Sequence, residues 1–385
     1  MYPALNRWFA LGASPEKEYR TRHKAEELLC STADRPVQLR PVYELAAALG
    51  EERVRAARRR LGKLRPAMQL AQMQKDWAAL LGKVEPMAAP TAIAVGPRKV
   101  GDVTVERLAL EVEPGILVPT LLLLPPRQEG VRMPVVVAFA QQGKQEFLKK
   151  GAGGIAELLK GGAAVCLPDL RGTGETRPGD SRGRTSAATS ISATELMLGQ
   201  TLVGSRLRDL RCVLRYLRGR SDLDASRVAL WGDSFAPANA EGRRLDVPLD
   251  ADKLPGQAEP LGQVLALFGA LYEPDVKAVY ARGGLAGYQM LLHGYFCYVP
   301  HDAVVPGALT AGDLGDVAAL LAPRPVRLEG LVDGLNRRVS DEALAKAFEP
   351  THAAYHGKPD RLLITAEVAP GGPVAAWLLA QLKAK

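Results

Sequence analysis

The residues best equipped for chemistry sit in one short run, Arg227-Val-Ala-Leu-Trp-Gly-Asp-Ser-Phe-Ala-Pro237. An apolar stretch leads into Gly232-Asp233-Ser234-Phe235-Ala236, which matches G-x-S-x-G except that Ala replaces the last Gly. In that pattern a strand turns sharply into a helix and lifts the serine hydroxyl above the sheet edge. Small flanking residues leave room for the crowded backbone. Ser234 would be a nucleophile towards a carbonyl carbon, and the Phe235 amide would point at the oxyanion that forms. The competing reading is a serine that only caps a helix. A triad acid belongs after a later strand, and Leu331-Val-Asp-Gly-Leu-Asn-Arg-Arg-Val339 supplies Asp333 in the right chain order. Asp333-Gly334 also reads as a plain turn pair.

The base is the hardest role to fill. The chain has five histidines: His23, His293, His301, His352 and His356. The loop after the last apolar run, Glu367-Val-Ala-Pro-Gly-Gly-Pro373, has none. His352 and His356 fall on a predicted helix, 341–356, that leads into the last strand, so they belong at the opposite sheet edge. His293 lies on an apolar stretch and reads as packed. His301 lies on a loop leaving the carboxyl edge of the sheet and is the candidate base.

These residues need a sheet to position them. Val103 to Val112 and Ile116 to Leu124 predict a hairpin around Pro114-Gly115. Apolar runs then follow at 134–140, 163–168, 228–231, 276–280, 325–332 and 361–365. Helix patterns separate them, the clearest being Glu195 to Arg218 with Gly219 as its stop. This alternation predicts right-handed βαβ units and a mostly parallel sheet flanked by helices. Loops at the carboxyl ends of parallel strands gather catalytic groups. Two such loops precede Ser234. Gln141-Gln142-Gly143-Lys144 is placed to offer a second oxyanion donor. Pro168 to Thr176 carries Asp169, Arg171 and Glu175, which read as a structural polar network. Residues 1–95 read as an N-terminal helical extension and 96–385 as the main domain. The stretch Arg177 to Ser192 reads as a long loop.

Composition excludes several classes. Hydrophobic residues are 47% and charged residues 24%, as in ordinary globular chains. No apolar stretch approaches the ~20 residues of a membrane span. The four cysteines, Cys30, Cys166, Cys212 and Cys297, form no C-x-x-C pair, so neither a zinc site nor a disulfide framework is expected. The net charge of +8 is partly concentrated in Arg53, Arg55, Arg58, Arg59, Arg60, Lys63 and Arg65. Without interleaved aromatics that run reads as a solvated helix face, and no nucleic-acid partner is expected. No G-x-G-x-x-G follows an early strand, which argues against a dehydrogenase. A helical N-terminus cannot be the propeller of a prolyl-oligopeptidase-type peptidase. The start carries no secretory signal pattern, and the compartment stays open.

Three segments resemble acetylxylan-esterase-type carbohydrate esterases of the α/β-hydrolase superfamily: Trp231-Gly-Asp-Ser-Phe-Ala-Pro-Ala-Asn239, Asp169-Leu-Arg-Gly-Thr-Gly174 and Ala322-Pro-Arg-Pro-Val326. The resemblance spans about Pro97 to Leu382. It implies an α/β-hydrolase fold and a cofactor-free serine esterase acting on short acyl esters of carbohydrate. It implies Ser234 as nucleophile, Asp333 as acid, and backbone amides of Phe235 and Gln142 as the oxyanion hole. The family's base after the last strand is missing here. The sequence is also similar to the second of two tandem hydrolase modules, so a tandem module or a homo-oligomer is an expected partner. The alternative is a catalytically degenerate hydrolase domain that binds a carbohydrate or a partner.

Overall fold

Branched and aromatic residues pack both faces of the central strands, and this makes a sheet that must be covered on both sides. The computed structural model describes residues 2–10, 12, 22–28, 39–87, 90–126, 130–179, 187–245 and 254–383. Cys30 and residues 180–186 of the expected long loop lie outside the described residues. The chain divides into two compact units, Met1–Pro41 and Val42–Lys385. The first contains helix α1 (Tyr2–Phe9). The second opens with α2 (Val42–Gly62) and α3 (Pro66–Leu81). The compact unit that holds the sheet thus begins at Val42, well before residue 96.

Nine strands form one sheet among the described residues. They are β1 (Thr91–Val100), β2 (Val103–Glu113), β3 (Ile116–Leu124), β4 (Met133–Ala140), β5 (Ala164–Pro168), β6 (Leu223–Asp233), β7 (Val276–Arg282), β8 (Val326–Glu329) and β9 (Leu362–Thr365). The order is β1-β2-β3-β5-β4-β6-β7-β8-β9. Pairings from β5 to β9 are parallel, and β1, β2 and β3 are antiparallel. Helices α4 (Lys144–Lys150) and α5 (Ala152–Lys160) connect β4 to β5, and α6 (Ala187–Met197) and α7 (Leu202–Arg218) connect β5 to β6. Helix α8 (Leu261–Tyr272) precedes β7, and α9 (Leu314–Ala319) precedes β8. Helices α10 (Asp341–Ala347) and α11 (Glu349–Ala354) precede β9, and α12 (Gly371–Lys383) follows it.

Alternate residues of each central strand enter opposite cores. On β4, Val135, Val137 and Phe139 join the core beneath α3, α7 and α8, while Val136, Ala138 and Ala140 face α5 and α12. Helices α2 and α3 belong to the first of these cores. Trp77 of α3 is fully buried, with its ring centroid 4.7 Å from that of Phe268 on α8. Gly204 at the start of α7 has no room for a Cβ, because the Leu81 carbonyl closes on it.

The structure departs from the sequence reading at several elements, and residues 187–192, expected as the end of a long loop, are the first turns of α6. Strand β1 was not expected, because its first residues, 91–95, fall in the stretch read as a helical extension. It is an exposed edge strand, where a proline costs no ladder bond, and its register shifts between Val95 and Arg98. The helix expected over 195–218 is two helices. Gly199 takes a left-handed φ of 75°, and the Thr201 hydroxyl accepts the Gly204 amide at 3.0 Å to start α7 afresh. The helix expected over 341–356 is α10 and α11, divided at Phe348, with Pro350 in the first turn of α11. The basic run on α2 is tied down by carboxylates: Arg58 pairs with Asp316 at 2.7 Å and Arg60 with Asp76 at 2.6 Å.

Trp77→Ala tests the placement of α3 in the core. Truncating a fully buried Trp should cost about 3–5 kcal/mol in urea unfolding. A loss below about 1 kcal/mol would mean that α3 is not integral.

Candidate active site

Strand β6 carries Asp233 and Ser234 to the carboxyl edge of the sheet. The Asp233 side chain is fully buried and accepts four hydrogen bonds. Its Oδ1 takes Arg282 Nε at 2.7 Å and the Ser234 amide at 2.8 Å. Its Oδ2 takes Arg282 Nη2 at 2.8 Å and Trp231 Nε1 at 3.0 Å. Burial pushes the Asp233 carboxyl up to about 6, against the pull of the guanidinium and the two N–H donors. Arg282 ends the neighbouring strand β7, so the ion pair locks the two strand ends together. Gly283 follows it with φ 66°. A Cβ there would stand 2.7 Å from Ser234 Cβ and 3.0 Å from its Oγ. The serine is therefore backed by bare backbone. It is buried, and its hydroxyl makes no hydrogen bond to another described residue.

Ser234 does not lead straight into a helix. The described residues 234–245 and 254–260 form neither helix nor strand, and α8 starts only at Leu261. The close strand–helix approach expected of Ala236 is made instead by Gly262, whose carbonyl leaves no space for a Cβ on Gly232. The reason lies in the loop's own bonds. Asn239 holds the Gly256 amide and carbonyl, each at 2.9 Å, and its backbone amide bonds the Asn336 carbonyl at 2.7 Å. These long-range bonds outcompete local helix formation.

Phe235 and Gln142, expected on separate loops as oxyanion donors, converge on one group. The Phe235 amide donates to Glu259 Oε2 at 3.0 Å, and Gln142 Nε2 donates to Glu259 Oε1 at 2.7 Å. The Gln142 donor is its side chain, not its backbone amide. Arg177 Nη1 donates to Gln142 Oε1 at 2.9 Å and so orients that amide. The Phe235 ring packs edge-on against Phe147, at 5.3 Å between centroids, with Lys150 Nζ 5.6 Å from its face. The glycine of the Gln141–Lys144 loop turns at φ 84°, and the Lys144 amide then reaches Asp169 at 2.7 Å. Lys144 Nζ pairs with Asp169 at 2.5 Å and Glu175 at 2.6 Å. Arg171 instead bonds Asp209 at 2.6 Å. Asp169, Arg171 and Glu175 thus fasten loops to the domain.

The Asp333 carboxylate accepts the amides of Leu335 and Arg337, both at 2.9 Å, in its own turn. His301 Nδ1 lies 3.0 Å from Ser192 Oγ on α6. Among the described residues no histidine ring hydrogen-bonds Ser234 or Asp333. His293, His352 and His356 are exposed, and His352 and His356 lie at and beyond the end of α11. The loop after β9, where a base is missing, is anchored by the Ala369 amide to Glu329 at 2.8 Å. The structure thus joins Phe235, the neighbour of Ser234, to Gln142 through Glu259, while the hydrogen bonds of Asp333 and His301 go to residues other than Ser234. No described cluster of His, Cys, Asp or Glu is arranged to hold a metal ion, and no described helix is long and apolar enough to cross a membrane. Sequence reasoning missed Glu259, Arg282 and Gly283. Only Gly283-Gly284 at the end of an apolar run gave a signal.

The chain matches no protein-family model and no curated protein sequence. Its fold is similar to that of a Bacteroides fragilis NCTC 9343 protein assigned as an acetyl xylan esterase. The two align with a TM-score of 0.60 and 14% identity, over 87% of this chain and 83% of that one. It is also similar to the methylesterase BT1017, with a TM-score of 0.56 and 20% identity, over 86% of this chain and 67% of that one. With the sheet order and the position of Ser234, these likenesses establish the fold as that of the α/β-hydrolases.

Two variants probe the ion pair behind Ser234. Arg282→Met leaves a buried carboxylate without its cation and should cost about 3–5 kcal/mol in chemical unfolding. A loss under about 1 kcal/mol would mean that the pair does not hold the strand ends. The Asp233 carboxyl, at about 6 when folded, lies above its unfolded value near 3.9. Its contribution to stability is therefore full below about pH 4 and is lost as pH rises through about 6. Asp233→Asn has no such decline. Wild-type stability should fall relative to this variant between about pH 4 and pH 7, and a gap that stays constant or moves the other way would contradict it.

Proposed function

We propose that this chain is a carboxylic-ester hydrolase with Ser234 as its nucleophile. The observation that carries the reading is the setting of Ser234. It stands at the carboxyl end of central strand β6, backed by Gly283, with the Phe235 amide and the Gln142 side chain converging beside it. Ser234 Oγ adds to the ester carbonyl and gives up its proton, and the alcohol leaves with a proton. Water then hydrolyses the acyl-serine to release the acid. The proteins of similar fold, named an acetyl xylan esterase and a methylesterase, support short esters as the substrate class, with acetylated sugars among them.

The proton acceptor is the open role. His301 is held by Ser192, and Asp333 is held by amides of its own turn. Without a base poised on Ser234 the basal rate is low, since oxyanion stabilisation and binding alone sustain only a small part of a full triad's acceleration. The same observation favours a second reading, a hydrolase-fold domain that binds its ligand without turning it over.

Hydrolysis of p-nitrophenyl acetate separates them. The hydrolase reading expects slow turnover that Ser234→Ala abolishes. Equal rates for wild type and Ser234→Ala would overturn it in favour of the binding domain. His301→Ala should lower kcat by less than about tenfold. A loss of 10³ or more, on the scale of a triad member, would assign His301 as the base in a conformation released from Ser192.

A further inference from the structure

Oxyanion donors are useful because they wait for negative oxygen. Here they already have it. Glu259 is buried, and each of its carboxylate oxygens accepts one neutral donor, Phe235 N or Gln142 Nε2. No described Lys or Arg pairs with it. The cradle is built around this acceptor. Arg177 fixes which end of the Gln142 amide faces Glu259, and Phe147 and Lys150 fix the Phe235 ring. The backbone of Glu259 is held in turn, because α8 starts two residues later.

A carboxylate matches the charge of the oxyanion intermediate, and it is also the product group of ester hydrolysis. We infer that the Phe235 amide and the Gln142 side chain form a carboxylate-binding cradle whose built-in occupant is Glu259, and that turnover at Ser234 requires Glu259 to leave it. The turnover half of this inference rests on the reading of Ser234 as nucleophile; the binding half does not. A base role fits Glu259 less well. A base must reach the Ser234 hydroxyl, yet both oxygens of Glu259 are turned to the oxyanion donors and neither bonds Ser234 Oγ.

The test uses the whole chain with Glu259→Ala and acetate as the probe. Calorimetric titration should detect one acetate bound to Glu259→Ala and none to wild type. In acetate-free buffer, kcat/KM for p-nitrophenyl acetate should rise on the order of 10²-fold, the worth of one restored oxyanion donor, and acetate should inhibit the variant competitively. A folded variant that binds no acetate overturns the cradle. Acetate binding with no gain in rate overturns the claim that Glu259 restrains turnover. Placing Ser234→Ala in the Glu259→Ala background separates the two readings: persistent hydrolysis there would refute the nucleophile assignment, while the acetate titration still decides the cradle. If Glu259→Ala does not fold, Glu259→Gln replaces it. That variant keeps one acceptor oxygen but loses the other, so it should show a smaller gain in rate and weaker acetate binding. Behaviour identical to wild type in both would overturn the inference.

Discussion

A carboxylate with no solvent contact organises this edge of the sheet. Asp233 could not stay ionised in that position without compensation, and its four donors come from three places. Trp231 lies on its own strand, Arg282 on the next, and the Ser234 amide follows it in the chain. Burying such a charge is costly unless every lone pair is used. The requirement thereby fixes the end of β6, the end of β7 and the peptide that orients Ser234. Arg282 in turn sets where Gly283 passes behind the serine, and a side chain there would crowd the hydroxyl.

The second carboxylate has a different character. Asp233 faces a guanidinium and is held from below the edge. Glu259 faces only amides and is held at the edge itself, by the two groups that would otherwise greet a developing oxyanion. One acid builds the scaffold and the other fills the place where chemistry would occur. The Ser234 hydroxyl makes no hydrogen bond to a described residue, and His301 is bonded to Ser192. The length of chain between Ser234 and α8 makes the placement of Glu259 possible. By separating Ser234 from α8, it brings Glu259 back to the edge just before that helix begins.

Much of the scaffold was legible in the residues. The hairpin and the buried parallel strands follow from apolar runs bounded by turns, because burial on both faces leaves a continuous signature. The position of Ser234 at the end of a buried strand followed from small residues around a polar one after such a run. What stayed hidden depends on contacts remote in sequence. Glu259 reaches residues near 142 and 235, and nothing in its own neighbourhood announces this. Asn239 ties its loop to 256 and 336, which replaced an expected elbow helix with an irregular segment. Asp333 illustrates the converse: its turn reading, Asp333-Gly334, was local and is the bonding that its carboxylate makes. Strand β1 escaped because edge strands tolerate proline and carry little apolar pattern.

A nucleophilic Ser234 must react with an electrophile that traps activated serines. The most direct measurement is intact-mass analysis and peptide mapping of the protein after prolonged exposure to a fluorophosphonate ester. One adduct on Ser234, absent from Ser234→Ala, is the predicted result. No adduct, or an adduct on another residue that Ser234→Ala leaves unchanged, would contradict the assignment of Ser234 as the nucleophile of a hydrolase.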